Sequence, residues 1–143
     1  MREIKFRAWD VYGKKMHAVK EISWNDERPM DGLLNDNEGG LFRAYLNEDC
    51  LVDGKYPEYF ILMQFIGLHD KNGTPIYEGD ILQPIFVGRK KSLYEVCWDK
   101  GSASFYLKPL WKEEGGYLLY RNGEGYSPYE VIGNIYENKE DIK

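Results

Sequence analysis

The chain has 143 residues and a mass of 16.8 kDa, so it forms one domain or two small ones, which excludes a large multidomain enzyme. Its 19 basic and 24 acidic side chains give a net charge of −5, which disfavours non-specific binding to a phosphate backbone. Hydrophobic residues make up 43% of the chain, enough for a core without disulfides. The 15% of aromatic residues, with Gly and Pro between short apolar runs, favours strands over helices and predicts a mainly β protein.

The N-terminal segment predicts a β-hairpin. Apolar and polar residues alternate from Ile4 to Trp9, which is the pattern of a half-buried strand. Residues 10–14 carry turn chemistry, and a second strand is expected from Lys15 towards Trp24.

The segment 25–54 accounts for the net negative charge of the chain. It contains eight acidic residues and two arginines, a net of −6, so the remainder of the chain carries +1. Such charge runs are usually solvated, and we expect an acidic loop here, with a short strand at 41–47, rather than an acidic tail that binds a partner. Because the remainder is slightly positive, a locally basic face that binds nucleic acid stays open as an alternative.

The run from Tyr59 to Ile66 is apolar on both faces, which is typical of a strand covered on both sides. After a turn-rich connection, short strands bounded by turn residues predict a small barrel or roll over residues 67–138. We therefore expect an N-terminal β region over 1–66, the barrel or roll over 67–138, and a frayed tail at 139–143. The strands expected after residue 67 are 80–87, 93–99, 104–109, 116–120 and 131–136.

Cysteine and histidine are too few and too scattered for a metal or disulfide framework. Cys50 and Cys97 are far apart, and His17 and His69 are isolated from them. We expect free thiols, with Cys97 a small core side chain, and neither a metal nor a cofactor. No apolar run is long enough to span a membrane and no signal-peptide core is present, so a cytoplasmic protein is expected.

No catalytic constellation is predicted. Glu78 and Asp80 flank Gly79 and could share a strand face for acid–base chemistry. The interpretation we favour is a turn at Gly79 in which Asp80 accepts hydrogen bonds from backbone N–H groups. No motif of a nucleophilic serine or cysteine surrounds either histidine. The segment 70–75 has the wrong order of oxygen ligands for a calcium loop and predicts a tight turn.

Aromatic side chains interleaved with cations could stack on bases and neutralise phosphates. Tyr and Trp on small β domains more often mark a core edge or a protein interface. We therefore expect a protein partner, including a second copy of the chain, and keep a nucleic-acid-binding module and an enzyme of unrecognised type as alternatives. The candidate binding residues are Lys5, Arg7, Trp9, Arg89, Lys90, Lys91, Tyr126 and Tyr129.

Three sequence blocks, in the same order, resemble the YopX family. They are MREIKFRAWD at 1–10, LMQFIGLHDKNG at 62–73 followed by IYEGDI at 76–81, and EVIGNIYEN at 130–138. The resemblance implies a largely β protein encoded by bacteriophages and prophages, with an SH3-like barrel in its C-terminal part and no established activity or catalytic residues. The family motif residues that we assign to turn geometry are Gly67, Asp70, Gly73, Gly79 and Asp80.

The expected function is therefore that of a non-enzymatic phage or prophage accessory protein. It is expected to act in the cytoplasm of the bacterial host by binding a host or phage protein, and to be a homo-oligomer, because sheet edges and surface tyrosines favour association.

Overall fold

The structure is a computed structural model that describes residues 3–24, 42–46, 51–53, 60–85, 92–111, 115–119 and 127–137. This part of the chain forms strands and turns without a helix, so the predicted mainly β class is confirmed. The strands are β1 (Phe6–Asp10), β2 (Lys15–Trp24), β3 (Phe42–Leu46), β4 (Leu51–Asp53), β5 (Phe60–His69), β6 (Pro75–Tyr77), β7 (Asp80–Pro84), β8 (Tyr94–Asp99), β9 (Ser104–Pro109), β10 (Tyr117–Leu118) and β11 (Tyr129–Asn134).

The chain divides into two compact units. The N-terminal unit is Arg7–Leu62, and the C-terminal unit combines Met1–Phe6 with Met63–Lys143. The first residues join the C-terminal unit because the backbone N–H of Phe65 donates a hydrogen bond of 2.9 Å to the carbonyl of Lys5. The predicted division at residue 66 lies inside β5, and the predicted tail at 139–143 lies outside the described residues.

The N-terminal unit is an antiparallel sheet in the strand order β4-β3-β2-β1. The predicted hairpin of β1 and β2 is confirmed, with Ala8 opposite His17. Asp10 Oδ1 shapes its turn by accepting hydrogen bonds from the N–H groups of Tyr12 and Gly13 at 2.9 and 2.8 Å. Ala8 is fully buried at the centre of a small core, packed against Val19, Ile22, Phe60 and Leu62. Within the predicted acidic loop, β3 and β4 form a second hairpin.

The C-terminal unit contains an antiparallel sheet in the strand order β10-β9-β8-β7-β11. One face of this sheet forms the core because alternate side chains of each strand point to the same side. Val96 of β8 lies opposite Leu107 of β9, and both are buried. The core is completed by Ile66, Ile76, Leu82, Tyr94 and Tyr129.

The five-stranded sheet is open and is not closed into the expected barrel. β10 and β11 stand at its two ends, and no pairing joins them within the described residues. Closure needs the first and last strands to pair along a tilted edge. β10 is only two residues long, and the register of β11 with β7 shifts between Val131 and Gly133, so neither end offers a long regular edge.

A second difference concerns the connection expected to begin at Gly67. β5 continues through Gly67 to His69, so His69 lies on a strand rather than in a turn. Gly67 has a φ of 87°, and the pairing of β5 with β6 shifts between Phe65 and His69. A glycine in a bulge can interrupt the ladder without ending the strand, which is why the turn signal misplaced the strand end.

Asp70 organises the turn that follows β5. Its buried carboxylate accepts hydrogen bonds from the N–H groups of Asn72 and Thr74, each at 2.8 Å, through Oδ1. Oδ2 accepts a third from Val131 in β11 at 3.1 Å. Gly73 supplies the positive φ of 83° that the turn requires. One side chain therefore closes a local turn and connects it to a distant strand.

The turn before β7 uses glycine and aspartate in the same way. Gly79 has a φ of 76°, and its carbonyl accepts a hydrogen bond from the N–H of Ile135 at 2.9 Å. Asp80 is buried, and its Oδ2 accepts a hydrogen bond from the N–H of Tyr77 at 2.8 Å. Glu78 Oε2 accepts another from the N–H of Gln64 at 2.8 Å. The two carboxylates bind backbone groups, so they serve the fold.

Candidate interaction surface

The face of β8, β9 and β10 that is opposite the core forms an open groove of about 700 Å³. It is built by the alternate side chains of β8 and β9, in which Cys97 lies opposite Tyr106 and Asp99 opposite Ser104. Lys108 also lines it, and Leu118 of β10 borders it. We call this surface the β8–β10 groove.

Gly116 determines how closely β10 approaches the groove. A Cβ atom at Gly116 would lie 2.6 Å from Cδ2 of Tyr106, a distance that forces the tyrosine ring to move. The preceding Gly115 has a φ of 100°, which favours glycine. The Gly-Gly pair therefore lets the chain pass against the Tyr106 ring as it enters β10.

Cys97 is half-buried in the wall of this groove, so the prediction of a core side chain is wrong. The reason is its register on β8, which places it on the face opposite Val96. Burial, followed by the negative charge of Glu95, raises the pKa of the Cys97 thiol to about 11. The pKa of Tyr106 is also raised, first by burial and then by Cys97. Both groups are protonated at neutral pH, and a protonated thiol is a poor nucleophile.

The hairpin between β8 and β9 closes one end of the groove. Asp99 Oδ2 accepts a hydrogen bond of 2.6 Å from the Ser102 hydroxyl, and Oδ1 accepts one of 3.1 Å from the N–H of Gly101. The hydrogen bond from Ser102 is the main cause of the lowered pKa of Asp99. Ala103 adopts a φ of 50° in the same turn, a conformation that is unfavourable for a residue with a Cβ.

Exposed aromatic side chains surround β10. Tyr94 of the core contacts the rings of Trp111, Tyr117 and Tyr129 edge-on, with centroid distances of 4.9, 5.6 and 5.9 Å. Trp111 is 51% exposed and Tyr117 is 44% exposed. Leu118, which lies opposite Tyr106 and therefore on the groove side, is 77% exposed. β10 thus presents apolar side chains on both of its faces.

At the opposite end of the sheet, turn residues and charged side chains contact β11. The carbonyl of Tyr129 in β11 accepts a hydrogen bond from the N–H of Lys71 at 3.1 Å, and the N–H of Val131 is bonded to Asp70. An ion pair of 2.7 Å joins Lys71 Nζ to Glu130 Oε2, and the hydrogen bond from Lys71 is the main cause of the lowered pKa of Glu130. β11 is therefore covered by a turn and by charged side chains.

The four expected binding residues that the structure describes, Lys5, Arg7, Trp9 and Tyr129, do not line the β8–β10 groove. Lys5 pairs with Glu3 at 2.7 Å, and its Nζ lies 5.8 Å from the centroid of the Phe65 ring. Arg7 is half-buried, and Trp9 and Tyr129 are buried, so neither of these rings is exposed for stacking on a base. The remaining expected residues, Arg89, Lys90, Lys91 and Tyr126, lie outside the described residues, as does Cys50.

Sequence reasoning missed the residues around β10. Trp111, Tyr117 and Leu118 are apolar and were indistinguishable from core residues, because exposure depends on the neighbouring strands. The available signal was the uncharged run 115–120, which lies between charged residues in the sequence. In the described part of the chain, no group of three or more His, Cys, Asp or Glu residues is placed to hold a metal ion.

Comparison with known proteins identifies both a family and a fold. The family model described as YopX protein matches residues 5–143. The crystal structure of protein EF1440 from Enterococcus faecalis is similar with a TM-score of 0.61 and 26% sequence identity, and the similarity covers 100% of each chain. No curated protein matches this sequence. Within the described residues there is no helix of the length and apolar character needed to cross a membrane.

Proposed function

The chain belongs to the YopX family, and on that basis we propose that it is a non-enzymatic phage or prophage accessory protein that acts by binding other proteins, beginning with a second copy of itself. The proposed place of action is the cytoplasm of the bacterial host. The proposed binding surface is the end of the five-stranded sheet formed by β10, Trp111 and the adjoining β8–β10 groove.

The observation that carries this proposal is the exposure of apolar side chains on both faces of β10. Fully burying a leucine side chain as exposed as Leu118 contributes about 2 kcal/mol, so covering Leu118, Tyr117 and Trp111 together favours association. Tyrosine and tryptophan are also the residues most enriched at the centres of protein interfaces. A partner that covers this end of the sheet therefore buries apolar side chains on both faces of β10, and both contribute to the binding free energy.

The protonation states in the groove support binding rather than catalysis. The Cys97 thiol and the Tyr106 hydroxyl both have raised pKa values, so they are hydrogen-bonding groups at neutral pH. Asp99 is occupied by its hydrogen bonds within the hairpin turn. These groups suit a surface that recognises a partner by shape and hydrogen bonds.

Sedimentation velocity of the purified chain over a wide concentration range tests the proposal. We expect a dimer or higher oligomer that dissociates on dilution, and we expect Leu118→Lys to weaken it at least about tenfold, since placing a charge in an apolar interface costs more than 1.4 kcal/mol. Ile4→Lys is a matched control, because Ile4 is an aliphatic residue with 68% exposure outside this surface. A chain that stays monomeric at every concentration contradicts the proposed self-association.

A further inference from the structure

We infer that Asn72 is a site of spontaneous deamidation, that the turn held by Asp70 controls its rate, and that the product weakens the attachment of this turn to β11. Asn72 is exposed and is followed directly by Gly73. Because glycine has no Cβ, its backbone nitrogen is the least hindered one that an asparagine side chain can meet. The pair at 72–73 therefore combines an accessible side-chain amide with an unhindered nitrogen, and this site is independent of the proposed binding function.

Deamidation at the Asn-Gly pair needs only water as a co-reactant. The backbone nitrogen of Gly73 attacks the side-chain carbonyl carbon, Cγ, of Asn72 and closes a succinimide ring. The Cγ–Nδ2 bond breaks, and the side-chain nitrogen leaves as ammonia with the proton that Gly73 gives up. Water then opens the ring at either carbonyl carbon, which yields aspartate or isoaspartate, and the released proton converts ammonia to ammonium.

The closed turn engages both of the reacting groups. The N–H of Gly73 donates a hydrogen bond of 3.0 Å to the carbonyl of Asp70, and Nδ2 of Asn72 donates one of 3.3 Å to Oε1 of Glu130. The backbone nitrogen becomes an effective nucleophile only when it loses its proton, and a hydrogen-bonded N–H is released only when the structure opens locally. The rate in the folded protein therefore follows the population in which this turn is open.

Asp70 sets the cost of opening the turn. Its Oδ1 accepts hydrogen bonds of 2.8 Å from the N–H groups of Asn72 and Thr74, which lie on either side of Gly73. Its carboxylate is buried, and Oδ2 accepts a further bond from the N–H of Val131. Opening the turn leaves this buried carboxylate short of donors, which is unfavourable. Asp70 thus slows the reaction for as long as it holds the turn closed.

The product changes the contact between this turn and β11. Glu130 of β11 accepts hydrogen bonds from Lys71 Nζ and Asn72 Nδ2, and its pKa is lowered by Lys71 first and by Asn72 to a lesser extent. Deamidation replaces the amide donor at position 72 with a carboxylate that faces the carboxylate of Glu130, and like charges repel. Isoaspartate also lengthens the main chain by a methylene group, which displaces the N–H groups that Asp70 binds. Both products therefore weaken the attachment.

Peptide mapping by mass spectrometry measures the rate at Asn72. The reference protein carries Asn122→Gln, because residues 122–123 are the second Asn-Gly pair of the sequence. It is incubated in mildly alkaline buffer, both folded and denatured in urea, and the deamidated fraction of the peptide that contains Asn72 is followed with time. We expect deamidation in urea and a rate at least about tenfold lower in the folded protein, which corresponds to an opening that costs about 1.4 kcal/mol.

Substitutions of the acceptors test whether the turn controls the rate. Asp70→Ala is expected to raise the rate in the folded protein at least about threefold, because the turn opens more often. Glu130→Ala releases Nδ2 of Asn72 at the surface and is expected to raise the rate about twofold, so it provides the test if Asp70→Ala does not fold. Asp99→Ala removes the acceptor of a different turn and is the matched control, with an unchanged rate expected. Circular dichroism establishes which variants are folded.

Asn72→Asp reproduces the aspartate product and tests its effect on the fold. Urea denaturation is expected to show an unfolding equilibrium constant raised at least about twofold, and a smaller increase when Glu130→Gln removes the facing charge. Asn72→Ser is the control that removes the amide donor without adding a charge. Its effect is expected to be smaller than that of Asn72→Asp.

Each part of the inference has its own contradicting result. A peptide around Asn72 that stays unchanged in urea overturns the site. Equal rates in the folded and denatured protein, or a rate that neither Asp70→Ala nor Glu130→Ala raises, overturn control by the turn. An Asn72→Asp variant as stable as the parent overturns the weakened attachment. None of these results depends on self-association, so the proposed function stands or falls separately.

Discussion

The carboxylate of Asp70 accepts a hydrogen bond of 3.1 Å from the backbone N–H of Val131, a residue 61 positions further along the chain. The same carboxylate holds the N–H groups of Asn72 and Thr74 within its own turn. It therefore joins the turn after β5 to the last strand of the sheet. This connection also covers the β11 end of the sheet and distinguishes it from the β10 end.

Replacing Asp70 by alanine is expected to destabilise the protein by about 3 kcal/mol or more, because three backbone N–H groups lose their acceptor in a buried place. Urea denaturation of the wild type and Asp70→Ala measures the change in free energy of unfolding. Asp99→Ala is the matched control, since Asp99 also accepts hydrogen bonds from backbone N–H groups in a turn but at the surface. Equal losses in the two variants would contradict the structural role of Asp70.

Gly79→Ala and Gly73→Ala separate backbone strain from steric contact. Both glycines have positive φ, 76° and 83°, so alanine at either position costs about 1 kcal/mol. A Cβ at Gly79 also lies 3.4 Å from atoms of Ile135 and Tyr136, whereas a Cβ at Gly73 has no heavy atom within 4 Å. Because 3.4 Å is an ordinary van der Waals distance, we expect similar losses of unfolding free energy from the two substitutions. A clearly larger loss for Gly79→Ala would contradict this and show a steric cost at Ile135 and Tyr136.

Ala103→Gly is expected to stabilise the protein by about 0.5–1 kcal/mol. The φ of 50° at Ala103 is unfavourable for a residue with a Cβ, so glycine relieves strain in the folded state. The greater conformational freedom of glycine in the unfolded chain offsets part of this gain in stability. Chemical denaturation gives the change, and the Ser104→Gly variant on the neighbouring strand is the control that should lose stability. A destabilised Ala103→Gly variant would be inconsistent with strain in this hairpin.

Cys97 is expected to react slowly with an alkylating reagent. Burial and Glu95 raise its pKa from 9.0 to about 11, so at pH 8 the thiolate is roughly a hundredfold less populated. The higher nucleophilicity of a more basic thiolate recovers roughly tenfold, which leaves a net slowing of roughly tenfold relative to free cysteine. Iodoacetamide labelling of Cys50→Ser, followed by mass spectrometry from pH 7 to 11, measures this rate. A rate that levels off below pH 9 would refute the raised pKa.

Oligonucleotides are expected not to bind the chain even at low salt. The net charge is −5, and the expected stacking residues Trp9 and Tyr129 are buried. Fluorescence anisotropy with single-stranded DNA and RNA, titrated from low to physiological salt, measures any affinity. Binding that weakens steeply as salt rises would revive the nucleic-acid alternative and point to the basic residues at 89–91.

The sequence by itself determined the hairpin of β1 and β2, the strands β8 and β9 and the turn at 78–80, whereas β4 and β6 were not predicted. Alternating residues marked β1, and the runs from Tyr94 and Ser104 marked β8 and β9 almost to their ends. The Glu-Gly-Asp segment at 78–80 indicated a turn because glycine conformation and aspartate hydrogen bonding act over a few residues. The family could also be predicted, because each of the three sequence blocks that resemble it is a short, continuous stretch of sequence.

Only the tertiary structure decided which strands stand at the ends of the sheet and which aromatic residues are exposed. Trp9 and Tyr129 are buried while Trp111 and Tyr117 are exposed, although all four are aromatic residues on or beside short strands. Burial depends on neighbours distant in sequence, as does the hydrogen bond from Val131 to Asp70. Local patterns report backbone conformation, whereas the β8–β10 groove and the contrast between β10 and β11 arise from strand pairing, which is non-local.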